Sequence, residues 1–118
     1  MEGTIIGYCV LNDYLVLFTH KYNMPIESNR DRIYRLTLDD NGVTGFVQLY
    51  EGNLDFQKDV NSTTDGLIDA IPYYETELIQ KVYWIDGINQ PRVINIVSDG
   101  DIHTPLYHPV DYDPYGFV

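Results

Sequence analysis

Two histidines and several aspartates near the C-terminus form the group of side chains best suited to metal chemistry. Imidazole and carboxylate groups are typical ligands of zinc and other transition metals. The side chains concerned are His103, His108, Asp111 and Asp113, preceded by Asp99 and Asp101. Prolines interrupt this segment, and no regular element is predicted that would bring the ligands together. We therefore expect no metal and no cofactor here, and we interpret the segment as a solvated acidic tail.

A second acidic motif, Asp39-Asp40-Asn41, resembles part of a calcium-binding loop. An EF-hand loop needs oxygen ligands at alternate positions, a distal glutamate and flanking helices. Neither that spacing nor the helices are present in the sequence. Asn41-Gly42 instead suits a type I′ hairpin turn, so a turn is expected at this place.

Residues for nucleophilic catalysis are scarce. Ser28, Ser62 and Ser98 lie in loop-like stretches without a G-x-S-x-G elbow. The single cysteine, Cys9, lies in an apolar run, which is typical of a small buried side chain. No glycine-rich phosphate-binding motif occurs, and no carboxylate pair stands out among the 18 acidic residues. The sequence predicts that the chain is not an enzyme.

Length and charge narrow the remaining function classes. The chain has 118 residues, which allows one domain, and a formal net charge of −11. Because nucleic-acid phosphates demand a basic surface, no specific nucleic-acid binding is expected. No apolar stretch approaches the roughly 20 residues that span a bilayer, and the N-terminus lacks the features of a secretory signal. We expect no membrane insertion.

Short apolar runs separated by turn residues predict an all-β chain with little or no helix. Thr4–Leu11 and Tyr14–Thr19, joined by Asn12-Asp13, predict a hairpin. Further strands are expected at Arg32–Leu38 and Phe46–Glu51. With short connections between them, these four strands predict an antiparallel meander.

The second half of the chain is expected to be less regular. Polar residues favour a long loop with one helical turn near Leu67–Ala70, followed by a hairpin of Leu78–Ile85 and Arg92–Val97. The predicted organisation is a β-sheet module at 1–98 followed by an extended Pro/Tyr-rich tail at 99–118. The module divides into a blade-like unit at 1–52, a loop at 53–77 and the hairpin at 78–98.

Aromatic residues are the remaining candidates for function, since the chain contains 11 tyrosines. Tyrosine and tryptophan are enriched at protein interfaces, and in a sheet they also pack across strands. The candidate interface residues are Tyr73, Tyr74, Tyr107, Tyr112, Tyr115 and Phe117. An alternative is a module that binds glycans or another protein through Tyr73, Tyr74, Tyr83 and Trp84.

Three stretches of sequence, at 5–18, 31–36 and 79–96, carry a family resemblance, and 49–54 adds to it. The most specific piece is Gln90-Pro91-Arg92-Val93-Ile94-Asn95, which follows a Trp-x-Asp-Gly turn. Together these stretches resemble the β-propeller region of tail stabilization, or muzzle, proteins of crAss-like phages. Those proteins are distantly similar to the tail nozzle of short-tailed phages. The resemblance covers residues 4–97.

The resemblance implies a non-enzymatic structural protein, or a fragment of one, that acts through protein–protein interfaces. Its location would be the phage tail within the virion, or the host cytoplasm during assembly. Its partners would be other phage structural proteins or further copies of itself. A propeller blade has four antiparallel strands, and propellers usually need at least four blades. The first four strands would make one blade and the later hairpin would begin another, so we expect self-association or a partner protein.

Overall fold

A computed structural model describes residues 2–22, 24–25, 29–54, 56, 68–87, 89–97 and 102–103. Two four-stranded antiparallel sheets make up the fold, and in each sheet the strands follow one another in chain order. Sheet A contains β1 (Thr4–Leu11), β2 (Tyr14–His20), β3 (Asp31–Asp39) and β4 (Gly42–Gly52). Sheet B contains β5 (Asp69–Thr76), β6 (Ile79–Ile85), β7 (Arg92–Asn95) and β8 (Ile102–His103). The all-β class is confirmed.

The first predicted hairpin is confirmed, since β1 and β2 pair from Leu11↔Tyr14 back to Thr4↔His20. Asn12 begins the turn with a φ of 55°. Asparagine adopts this left-handed conformation more readily than most residues because its short side chain can bond locally. Asn12, which predicted the turn from the sequence, therefore occupies the turn position that needs a positive φ.

The second hairpin is also present, but the expected type I′ turn is wrong. Such a turn needs a positive φ at both central residues. Among the described residues Asn12 is the one non-glycine with a positive φ, so Asn41 does not have one; Gly42 has a φ of 103°. The Asp39 carboxylate accepts the Asn41 N–H at 2.7 Å. This bond favours a local turn at Asp40-Asn41, and the glycine then closes the hairpin with a shift in strand register.

A strand lies inside the stretch expected to be the loop 53–77. β5 pairs with β6 over most of its length, for example Ile71↔Tyr83 and Tyr73↔Lys81. The helical turn predicted near Leu67–Ala70 is wrong for its last two residues, since Asp69 and Ala70 belong to β5. Sheet B is therefore a four-stranded sheet, and not a hairpin alone. Its last strand, β8, falls within the segment expected to be an extended tail.

The core lies between the inner faces of the two sheets. Phe18 of sheet A packs against Trp84 of sheet B, with ring centroids 5.2 Å apart. Phe56, from the segment after β4, contacts Phe18 edge-on at 6.5 Å. The other buried core residues are Ile6, Cys9, Leu11, Val16, Ile33, Leu54, Val82, Ile94 and Ile96. In the part of the chain that the structure describes, no helix has the length and apolar character to cross a membrane.

The edge strands β1 and β5 bring the two sheets together at one side. The Ile68 N–H, just before β5, donates to the Ile6 carbonyl at 2.9 Å. Gly7 lies directly against the Ile68 side chain, and a Cβ atom at this position would clash with it. The absence of a side chain at Gly7 therefore allows the close approach of the two strands.

Candidate functional site

A buried histidine–aspartate pair is the described arrangement that most resembles acid–base machinery. His20 Nδ1 lies 2.5 Å from Asp31 Oδ1, and their side chains are 1% and 0% exposed. The Tyr22 ring packs edge-on against the imidazole at 4.6 Å. A general acid or base must reach its substrate, and this pair has no access to solvent. The pair is therefore structural, and sequence analysis missed it because its members are eleven residues apart on different strands.

The same aspartate connects the two sheets. Its second oxygen accepts the Leu54 N–H at 2.6 Å, and the Leu54 carbonyl accepts from Arg92 Nη1 at 2.8 Å and Asn89 Nδ2 at 3.3 Å. The Asp86 carboxylate accepts the backbone N–H of Asn89 at 2.7 Å. Arg92, which belongs to the most specific sequence motif, and Asn89, which Asp86 holds, thus anchor the segment after β4 through hydrogen bonds to the Leu54 carbonyl.

The predicted absence of a metal site stays a prediction. His103 lies on β8, opposite Val93, whereas His108 and the neighbouring aspartates lie outside the described residues. Within the ranges that the structure covers, no three His, Cys, Asp or Glu side chains are grouped to hold an ion.

Cys9 is buried, as the sequence predicted, with 5% of its surface exposed. Burial raises the pKa of the Cys9 thiol, because the thiolate loses its solvation. The side chain packs in the core between the sheets, so it acts as a small apolar residue.

The two candidate tyrosines on β5 point to opposite faces of sheet B, since neighbouring strand residues alternate. Tyr73 is half exposed and contacts Tyr83 edge-on at 6.4 Å. The Tyr74 hydroxyl donates to the Glu77 carboxylate at 2.7 Å, which raises the pKa of the Tyr74 hydroxyl. The other candidates, Tyr107, Tyr112, Tyr115 and Phe117, lie outside the described residues.

The four-aromatic glycan platform does not form. Trp84 is 1% exposed and belongs to the core, so it cannot stack on a sugar. Tyr73 and Tyr74 face away from each other, and the Tyr73 and Tyr83 rings are inclined at 78°. A flat sugar-stacking surface needs coplanar exposed rings, and these residues do not provide one.

The outer face of sheet A carries an apolar surface that sequence analysis missed. One row crosses all four strands in register as Val10, Leu15, Leu36 and Phe46. A second row contains Tyr8, Leu17, Tyr34 and Gln48. Leu17 and Tyr34 are buried, and the Tyr34 ring stacks on Phe46 at 5.0 Å. We call this surface face A, and we define it by Tyr8, Val10, Leu15, Leu36, Val43 and Phe46.

The outer face of sheet B combines apolar and charged residues, since Lys81 pairs with Tyr73 and Asp69 pairs with Ile85 on the same side. Ile71, Tyr83 and Val93 form a cross-strand row, and Tyr73 and Ile85 lie on the same side of the sheet. Ile71, Tyr73 and Ile85 are each about half exposed. We call this surface face B, and we define it by Ile71, Tyr73, Tyr83, Ile85 and Val93. The structure thus places one of the sequence candidates, Tyr73, on this surface.

Charged groups cluster at one end of sheet A, away from the centre of face A. Lys21 and Glu2 form an exposed ion pair at 2.5 Å, and Arg32 lies 3.3 Å from Glu51. The hydrogen bond and charge of Lys21 hold the pKa of the Glu2 carboxyl below its usual range. Because the strand residues of face A named above are all uncharged, the net charge of −11 is carried elsewhere.

Comparison with known proteins agrees with the sequence resemblance. The family model described as "Crassvirus muzzle protein" matches residues 1–118. The muzzle protein of Bacteroides phage crAss001 is 45% identical over 101 residues, which are 84% of this chain and 6% of that relative. The chain therefore spans about 6% of the length of this curated relative. With the whole chain matched by the family model, this protein belongs to the crassvirus muzzle protein family.

Proposed function

We propose that this chain is a non-enzymatic structural module of a phage particle, and that it acts by burying its sheet faces against neighbouring protein. The observation that carries the proposal is the pair of exposed, largely apolar surfaces, face A and face B, on opposite sides of one molecule. Large exposed apolar patches on soluble proteins are typical of interaction sites. Membership of the muzzle family supports a role in the virion.

We further propose that the two sheets are neighbouring blades of a propeller-like assembly. Each is a four-stranded meander, and their first strands β1 and β5 lie side by side. Adjacent first strands and stacked sheets are features of neighbouring propeller blades. Two blades cannot close a ring, so further sheets must come from other copies or from other protein. In this proposal the sheet module is the rigid part, and the segment beyond it is an accessory arm.

The acidic character of the chain fits this role. A surface with net charge −11 repels nucleic acid, which suits a protein beside the path of phage DNA. The proposed partners are other structural proteins of the particle or further copies of this chain. The proposed location is the virion, with assembly in the host cytoplasm.

Mass spectrometry of purified particles tests the proposal. Trypsin releases the peptide Val82–Arg92, which contains the single tryptophan and the first three residues of the specific motif. We expect this peptide to follow the major capsid protein through a density gradient at a constant ratio, while a replication protein of the same phage stays in the soluble fraction. Recovery of the peptide in the soluble fraction alone would contradict the structural role.

A further inference from the structure

We propose that Asn41, in the turn between β3 and β4, is a site of spontaneous covalent modification. The Gly42 backbone nitrogen attacks the Asn41 side chain and converts it to a mixture of aspartate and isoaspartate. The inference concerns the chemistry of one exposed turn, so it stands whether or not the sheet faces serve as interfaces. Asparagine is among the residues whose chemistry limits the lifetime of a protein.

The reaction needs water and no enzyme, metal or redox partner. The Gly42 amide nitrogen bonds to the Asn41 Cγ atom and closes a succinimide ring. The bond from Cγ to Nδ2 breaks, and Nδ2 leaves as ammonia with the former Gly42 amide proton. Water then opens the ring. Opening at Cγ gives aspartate, whereas opening at the backbone carbonyl gives isoaspartate, in which the chain runs through the side chain.

The glycine that follows Asn41 favours ring closure, because it has no side chain to shield the attacking nitrogen. Gly42 has a φ of 103°, and no atom outside its chain neighbours lies within 4 Å of the place where a Cβ atom would stand. Asp39 and Gly42 form the last pair of the β3–β4 ladder. Since the ends of a ladder open at little cost in free energy, the nitrogen can leave the ladder and approach Cγ.

The Asn41 side chain is exposed, and its amide makes no hydrogen bond within the part of the chain that the structure describes. The backbone N–H of Asn41 donates to the Asp39 carboxylate, which leaves the side chain able to rotate toward Gly42. By contrast, the side-chain amides of Asn29, Asn89 and Asn95 each donate a hydrogen bond. These amides are held away from the backbone nitrogen that follows them.

Another dipeptide that could close such a ring, Asp86-Gly87, is held in place. Gly87 also has a positive φ, of 80°, but Asp86 is buried. Its two carboxylate oxygens accept the Asn89 backbone N–H at 2.7 Å and Asn89 Nδ2 at 2.8 Å. The carbon that the Gly87 nitrogen would have to reach is therefore fixed by two hydrogen bonds. Of these two glycine turns, the structure favours reaction at Asn41.

The modification changes the charge and the geometry of the turn. Both products add a carboxylate beside Asp39 and Asp40. Isoaspartate also lengthens the backbone, so the hydrogen bond between the Asp39 carboxylate and the N–H of position 41 cannot keep its present geometry. Val43 of face A follows the turn directly, so the reaction alters the border of that surface as the protein ages.

Peptide mapping of the aged, folded full chain tests the proposal. After incubation at pH 8 and 37 °C, trypsin releases Met1–Lys21, which contains Asn12, and Leu36–Lys58, which contains Asn41. Asn12 is the matched control, since it is also exposed in a hairpin turn of sheet A but precedes Asp13. We expect Asn41 to lose its amide at least tenfold faster than Asn12, and isoaspartate to exceed aspartate among the products.

Two further samples complete the experiment. Unaged protein, digested in parallel, measures any reaction that occurs during digestion. Asn41→Gln should keep its amide through the incubation, because glutamine would have to close a larger ring. Synthetic Leu36–Lys58 peptides with aspartate or isoaspartate at position 41 are the chromatographic standards.

Three outcomes would overturn the proposal. Equal rates at Asn41 and Asn12 would show that the glycine turn is not reactive. Aspartate without isoaspartate would indicate direct hydrolysis of the amide and refute attack by Gly42. An intact Asn41 in the folded chain, together with rapid reaction of the chain in urea, would show that the turn protects this side chain. None of these outcomes bears on whether the chain is found in purified particles.

Discussion

The His20 imidazole and the Asp31 carboxylate lie 2.5 Å apart at the end of the β2–β3 pair, and both are fully buried. The second carboxylate oxygen accepts the Leu54 N–H. One aspartate therefore holds β2, β3 and the segment that carries Leu54 into the core. A buried carboxylate is tolerated when its oxygens are occupied by donors, and here each oxygen has one.

Asp31→Asn should destabilise the fold. An amide keeps the shape of the side chain but removes the negative charge and replaces one acceptor oxygen by a donor. His20 keeps its bond only if its Nδ1 becomes an acceptor, and the charge assistance to both partners is lost. The loss of charge-assisted bonding in a fully buried pair costs about 2–4 kcal/mol. Urea denaturation monitored by Trp84 fluorescence measures the change. Asp40→Asn, in the exposed β3–β4 turn, is the control and should change the free energy of unfolding by less than about 0.5 kcal/mol. Equal stability of the two variants would contradict this account.

The parts of the fold that were predicted from the sequence depend on local signals. Asn12 and Gly42 mark the two hairpins of sheet A because a positive φ needs particular residue types. β5 was missed because Pro72 and the acidic residues around it suggest a loop, although proline is tolerated on an edge strand. The pairing of His20 with Asp31 depends on strand register, which no local pattern encodes.

The candidate surfaces were predicted only in part. Tyr73 was selected for its residue type and lies on face B, but Tyr74 and Trp84 were selected on the same grounds and have other surroundings. Face A was missed because its valines, leucines and Phe46 have the composition of core strands. Whether a strand is covered on both faces depends on what else packs there, and one sequence does not show this.

Gly7→Ala should weaken the junction of the two sheets. A Cβ atom at Gly7 would clash with the side chain of Ile68 and lie 3.1 Å from its carbonyl oxygen. Forcing β1 and the start of β5 apart in this way costs about 1–3 kcal/mol. Thr4→Ala, at an exposed position of the same strand, is the control and should have a smaller effect in thermal unfolding.

A double-mutant cycle distinguishes this clash from a general preference for glycine at position 7. In the Ile68→Gly background the obstructing side chain is gone, so Gly7→Ala should cost less there than in the unmodified chain. Coupled residues in contact show interaction energies of about 0.5–3 kcal/mol. Additive effects of the two substitutions would mean that Gly7 is required for another reason.

Cys9 should react slowly with alkylating reagents in the native protein. The thiolate is the reactive species, and burial both shields the thiol and raises its pKa. Iodoacetamide labelling at pH 8, followed by intact mass, should be at least tenfold slower than in the variant Cys9→Ala/Asp40→Cys, whose thiol lies in an exposed turn. Comparable labelling rates would show that the core around Cys9 opens readily.

The same pKa shift fixes the sign of a pH effect. Since the thiol keeps its proton more tightly in the folded state, the unfolded chain loses the proton first as the pH rises. The free energy of unfolding should therefore fall as the pH rises from the thiol's ordinary value through its raised value. Chemical denaturation between pH 7.5 and 10 measures the trend, and the Cys9→Ala variant should show a shallower decline. Parallel slopes for the two proteins would contradict the assignment.

The segment after β8 should strengthen self-association. It contains Tyr107, Tyr112, Tyr115 and Phe117, and a buried large side chain contributes about 1.5–3 kcal/mol. Three prolines in the same segment reduce the entropy that is lost when it docks. A truncation after His103 keeps Ile102 paired with Ile94, whereas a truncation at 98 would remove β8 as well. Sedimentation should show weaker association for residues 1–103 than for the full chain.

Ionic strength should separate the contribution of this segment from that of the sheet faces. Like charges on acidic copies repel each other, and salt screens the repulsion, so association of the full chain should tighten between 0.05 and 0.5 M NaCl. Asp111 and Asp113 lie among the aromatic anchors, and Asp111→Asn/Asp113→Asn should lower the salt dependence while it leaves association at high salt unchanged. Identical association of the full and truncated chains at both salt concentrations would show that the segment makes no contact. In that case face A and face B would account for the assembly without it.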